Sequence, residues 1–194
     1  MESGLIFWAI IAAALAFQLR RVWGTATGFK GNGSTPQNEK RPYTNVSLST
    51  NLGKFEQQLK EWNASVDVAT LTRRCETLFN DLLEAFAASH YKTLKKHMSK
   101  AVYESFAHQM EKREQKGLTL HLDVRQLQTT LQNLQQTSQG IEVVVSFASE
   151  QMSRTTNAQG ESFDNPAQIF VPKKDIWTFL LKGEHLTVVE TTSH

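Results

Sequence analysis

The sequence predicts an α+β protein: helices first, then an antiparallel strand meander, behind an apolar N-terminal segment. Three observations carry this. Apolar residues recur at three- and four-residue spacing from residue 66 to about residue 110. After Gly117 the period changes to short alternating runs. Residues 5–19 are almost unbroken apolar, with Gln18 the one polar member. A run of helices followed by a run of strands packs as helices on one face of a curved antiparallel sheet. Such a cone can enclose an apolar pocket at its open end.

The N-terminal run comes first in order. At about 1.5 Å per residue, residues 5–19 span roughly 22 Å, short of the ~30 Å hydrocarbon core of a bilayer. Extension from Gly4 to Trp23 makes up the deficit if Arg20 and Arg21 snorkel and Trp23 lies in the interface. Leu5, Ile6, Phe7, Trp8, Ile10, Ile11, Leu15, Phe17 and Leu19 are then the anchor, and Arg20, Arg21 and Trp23 its interfacial flank. A secretory signal carries its positive charge before the apolar run. Here Glu2 precedes the run and Arg20-Arg21 follow it, although Ala14-Leu15-Ala16 resembles a cleavage site. A soluble core helix is the other alternative, and apolar residues on every face disfavour it. The positive-inside rule then places the N-terminus outside and the rest of the chain in the cytoplasm.

Charge and cysteine content bound the remainder. The 194 residues carry a formal net charge of +2, which gives no signal for nucleic acid. Residues 20–41 hold five basic residues against one acidic one, directly behind the apolar run. Anionic lipid would favour each such charge near the surface by ~1 kcal/mol. Cys75 is the only cysteine, so disulfide frameworks and thiolate metal sites are excluded. The tripeptides at Asn32, Asn45 and Asn63 match the N-glycosylation pattern and matter only in a lumenal compartment. Residues 24–52, rich in Gly, Ser, Thr, Asn and Pro, read as a flexible basic linker. The expected division is an anchor over 1–23, a linker over 24–52 and an α+β domain over 53–194.

Within that domain, Phe55, Leu59 and Trp62 share one face of a short helix, expected to pack on protein rather than on lipid. Leu71, Cys75, Leu78, Phe79, Leu82, Leu83 and Phe86 mark a long amphipathic helix to about Ser89. Leu94, Met98, Val102, Tyr103, Phe106 and Met110 form a second stripe, read as one helix ending at Gly117. Lys92, Lys95, Lys96 and Lys100 cluster with His97 at its start. There the helix dipole disfavours positive charge, and the cluster is a candidate surface for anionic lipid or an anionic partner. Residues 119–136 are ambiguous: Leu118, Leu120, Leu122 and Val124 alternate as in a strand, whereas Leu127, Leu131 and Leu134 have helical spacing. Residues 141–147 and 168–181, the latter interrupted at Pro172, are strands. Lys182-Gly183-Glu184 is a tight connection to the last strand, residues 185–191.

No catalytic motif with specific spacing is present, and neither a metal site nor a cofactor is expected. His90 and His97 lie seven residues apart, which by itself marks surface histidines rather than ligands. Tyr91, Tyr103, Asp81 and Asp123 are the residues whose chemistry permits proton transfer in a cone pocket. Tyr103, Phe106, Trp177 and Phe179 are the candidate pocket lining. Alternation along the strand makes Trp177 and Phe179 core residues first.

Residues 75–117 resemble the Tim forty-four-like domain family. The resemblance lies in Ala85-Phe86, Leu94, Ser99, Val102-Tyr103, Phe106, Arg113-Glu114 and Gly117. Ser149-Glu150-Gln151 closing an apolar strand, and Asp175-Ile176-Trp177-Thr178-Phe179, are similar to its later motifs. Leu19-Arg20, Gly24 and Thr27-Gly28 match the start of the bacterial members, called TimA. Two positions depart: Ser89-His90 stands where the family has Gly-Asp, and Lys182-Gly183-Glu184 replaces a longer D-P-N-W hairpin. The resemblance implies a cone-shaped domain of the nuclear-transport-factor-two-like type in a non-enzymatic, membrane-anchored adaptor. It also implies partners: membrane lipid, cardiolipin included, and proteins such as a translocase, an Hsp70-type chaperone or a client segment. The implied place is the bacterial inner membrane, with the mitochondrial inner membrane, matrix side, as the alternative. A small-ligand-binding or enzymatic cone domain is the competing expectation.

Overall fold

A computed structural model describes residues 46–162 and 164–193. The expected anchor and most of the expected linker lie outside the described residues. Among the described residues four helices precede the strands: α1 (Val46–Glu61), α2 (Val68–Ala87), α3 (Tyr91–His97) and α4 (Lys100–Gln115). Four strands follow, β1 (Thr119–Thr137), β2 (Gly140–Thr156), β3 (Val171–Lys182) and β4 (His185–Ser193). They form one antiparallel sheet in the order β1-β2-β3-β4. The α+β expectation is met, with helices packed on one face of a meander.

Helix α1 begins at Val46, inside the segment read as linker. Its Phe55 and Leu59 are buried and Trp62 packs against the same cluster, so this face docks on protein. Glu56 accepts a hydrogen bond from the Val68 backbone N–H at 3.0 Å, which ties α1 to the start of α2. Asp67 caps α2 by accepting from the Thr70 N–H at 2.6 Å, satisfying one of the donors that every helix start leaves open. The α2 stripe of Leu71, Cys75, Leu78, Phe79 and Leu82 is buried as its spacing requires.

The second stripe is two helices rather than one. Met98 leaves the helical conformation and forms a parallel bridge with Val188, and the Ser99 N–H donates to the Val188 carbonyl at 2.8 Å. Ser99 then caps α4. Met98 keeps its apolar contact but takes it up from extended backbone, so the stripe survives the break. The dipole expectation is reversed for Lys95 and Lys96 but stands for Lys92 and Lys100, which lie in the first turns of α3 and α4. Lys95, Lys96 and His97 occupy the last turn of α3, where positive charge is favoured.

Residues 119–136 are strand throughout. Two bulges explain the ambiguity: the pairing of β1 with β2 shifts between Arg125 and Gln128 and again between Leu131 and Asn133. Each bulge reverses which parity of residue faces the core. Val124 pairs with Gln151, Thr129 with Phe147, Leu131 with Val145 and Leu134 with Val143, all on the helix-covered face. The apparent helical spacing of Leu131 and Leu134 is therefore an alternating strand with one extra residue. Farther along, β3 starts at Val171 rather than at Gln168, whose positive φ of 53° belongs to a turn. Pro172 is tolerated because β4 reaches only as far as the Ser193–Asp175 pair, so among the described residues β3 has no second neighbour there.

The core sits between sheet and helices. Phe79 stacks on Phe147 at 4.1 Å between centroids and meets the edge of Trp177 at 4.8 Å. Phe179, Val143, Val145, Leu181, Leu186 and Val188 complete the sheet side.

Candidate functional site

Helix α3 is positioned by its own sequence. Leu94 is fully buried, while Lys92, Lys95 and Lys96, at positions i, i+3 and i+4, share the opposite, exposed face. Tyr91 at the start of α3 donates its hydroxyl to Glu114 of α4 at 2.9 Å, fixing the two helices together. Desolvation and that acceptor push the Tyr91 phenol up to about 12, so it holds its proton at neutral pH. Lys100, the first residue of α4, is exposed and makes an ion pair to Glu104 at 3.7 Å. Such a pair leaves the charge available to a ligand. All four lysines are thus solvent-exposed, three on one face of α3 and Lys100 at the start of α4.

Below this face, Arg113 does the local structural work. Its guanidinium donates to the carbonyls of Phe86 and Ala87 and to the Ser89 hydroxyl, at 2.7, 3.2 and 2.8 Å, and lies over the Phe86 ring. It closes the C-terminus of α2, whose last carbonyls lack helical partners. Ser89 has φ of 57°, the left-handed region that suits glycine. Its hydroxyl bond to Arg113 accounts for a serine being accommodated in that turn.

The candidate pocket residues are not gathered around an opening. Trp177 and Phe179 are buried among Phe79 and Phe147. Phe106 meets the edge of Phe86 at 5.2 Å, near the end of α2, and Tyr103 is half-buried beside the same cluster. The proton-transfer candidates are equally dispersed. Asp81 is exposed on α2, and Asp123 sits on the outer face of β1 beside Arg125 at 3.7 Å. His97 stacks on His185 at 5.6 Å, not on His90. Burial and then Lys96 lower its pKa, so it adds no charge to the lysine face at neutral pH.

Sequence reasoning missed a polar chain at the far end of the core face. Gln151 donates to Asp175 at 2.8 Å and to the Ser149 hydroxyl at 3.1 Å, with Ser149 and Asp175 both buried. Lys173 is half-buried next to them; desolvation lowers its pKa and Asp175 opposes the shift. Its only sequence signal is polar residues at inward strand positions, visible once the register is known. Among the described residues, no cluster of three His, Cys, Asp or Glu side chains is placed to hold a metal. Among the same residues, no helix is long and apolar enough to cross a membrane.

Comparison with known proteins follows the fold. The model of the Tim44-like domain family matches residues 52–185. Among solved structures, the intermembrane space region of the chloroplast protein ARC6 is similar, with a TM-score of 0.50 at 10% identity. The likeness covers 63% of this chain and 95% of that one, and at such identity it shows the fold alone. No curated protein matches the chain.

Proposed function

Since the chain belongs to the Tim44-like domain family, we propose that it is a non-enzymatic adaptor that holds protein partners beside a membrane. In this reading residues 1–23 are a single-pass anchor with the N-terminus outside. The α+β domain works on the cytoplasmic face of a bacterial inner membrane, or on the matrix face of a mitochondrial one. Its partners are a translocase, a chaperone of the Hsp70 type or a client segment, as in protein translocation or membrane-protein biogenesis.

The observation that carries the membrane side of this reading is the exposed lysine face of α3, with Lys100 exposed at the start of the next helix. Near an anionic surface each lysine contributes ~1 kcal/mol, enough together to hold this face toward phosphate headgroups such as those of cardiolipin. The alternative, a cone domain binding a small ligand, is disfavoured by the rings of Phe79, Phe147, Trp177 and Phe179, which fill the space among themselves.

Two experiments test the proposal. Deletion of residues 1–23 is expected to move the protein into the soluble fraction; persistence in washed membranes would remove the anchor. Reversal of Lys92, Lys95, Lys96 and Lys100 to Glu is expected to weaken binding to cardiolipin-containing vesicles by at least about tenfold at physiological salt. Unchanged vesicle binding would leave the lysines as ordinary surface.

A further inference from the structure

We infer that the outer edge of β1, over residues 119–125, is a self-pairing surface that joins two copies of this chain. The two edges of the sheet are treated differently. The β4 edge is occupied: Met98 bridges Val188, and Ser99 donates to its carbonyl. The backbone ladder of β1, among the described residues, runs to β2 alone. Open edges are ordinarily blunted by lysine, proline or bulges. Both β1 bulges lie beyond Arg125, so residues 119–125 pair regularly with β2 and contain neither lysine nor proline.

The side chains of this stretch complement themselves. Leu120, Leu122 and Val124 are half-buried on one face, and His121, Asp123 and Arg125 are exposed on the other. An antiparallel two-fold centred on Leu122 sets Leu120 against Val124 of the second copy and Leu122 against its own equivalent. On the opposite face it sets His121 against Asp123 and Thr119 against Arg125. Centring on Asp123 instead would oppose two carboxylates, which is destabilising. A shift to odd register would set apolar residues against charged ones. Arg125 does not shield the edge: its guanidinium lies 3.6 Å from the Phe170 ring centroid, reaching across β2 toward the start of β3. A seven-residue contact of this kind is small, so the dimer belongs to the weak, concentration-dependent class.

The test uses the full chain in detergent. Sedimentation should show a monomer–dimer equilibrium in the micromolar range, and Leu122→Lys should raise its dissociation constant at least about tenfold with an unchanged circular dichroism spectrum. Directly opposed strand residues lie about 4.5–5.5 Å apart between Cα atoms, within disulfide reach. Leu122→Cys should therefore give an oxidised dimer, to which the buried Cys75 does not contribute. Gln132→Cys, exposed on the same strand, would lie about 60 Å from its mate at ~3.3 Å per residue and should stay monomeric. A monomer at all concentrations, equal crosslinking at both positions, or self-association insensitive to Leu122→Lys would overturn the inference. The last result would assign association to another part of the chain. Pairing only with an extended segment of a different protein would overturn it as well.

Discussion

Arg113 illustrates how much one side chain decides here. It is 8% exposed, yet its charge is compensated by two carbonyls, a hydroxyl and an aromatic face. Replacement by Met keeps the packing and strands those acceptors, so Arg113→Met is expected to destabilise the domain by about 2–3 kcal/mol in urea unfolding. Ser89 gives a second, more selective test. Ser89→Gly relieves the positive φ but loses the Arg113 bond, and should stay within about 1 kcal/mol of wild type. Ser89→Ala keeps the strained backbone and loses the bond, and should be the less stable of the two. Cys75 is fully buried, and its desolvation pushes the thiol up to about 12. The folded protein should therefore resist a thiol reagent at pH 8 and react at once in denaturant; rapid native labelling would contradict that burial.

At the scale of elements, the helices were legible where one face alone sets the pattern. The α2 spacing reports its buried stripe directly. The break between α3 and α4 was not legible, because Met98 fits a helical stripe and leaves it only to meet Val188, a strand residue far along the chain. The β1 bulges hid their strand for a related reason, since an extra residue converts alternation into apparent helical spacing. The β1–β2 hairpin depends on Gly140, at φ of 151°, where a Cβ would overlap the Leu181 carbonyl oxygen of β3. Gly140→Ala is expected to cost more than about 2 kcal/mol in thermal or urea unfolding. The same change at Gly160, whose Cβ would meet nothing within 4 Å, should cost less, leaving only its φ of 78° to be strained.

Among the described residues, an aromatic cluster links α2 to β2 and β3. Phe79 is its helix-side member, fully buried between Phe147 and Trp177, and Phe79→Ala is expected to destabilise by about 3–5 kcal/mol, measured by urea unfolding. The α+β class, the order of helices before strands and the family resemblance were all readable from the residues in order. Each of these rests on local period and on residues close together in the chain. The sequence also placed Trp177 and Phe179 in the core, because strand alternation buries one face whatever lies opposite. Tertiary structure alone decided which polar residues meet: Arg113 with the end of α2, Gln151 with Asp175, and His97 with His185 rather than His90. It alone decided that, among the described residues, the β4 edge is bridged by Met98 while β1 pairs with β2 alone. The physical reason is the same throughout. Periodicity records which face of an element leaves water, whereas the partner on that face is chosen by contacts between segments that no local spacing encodes.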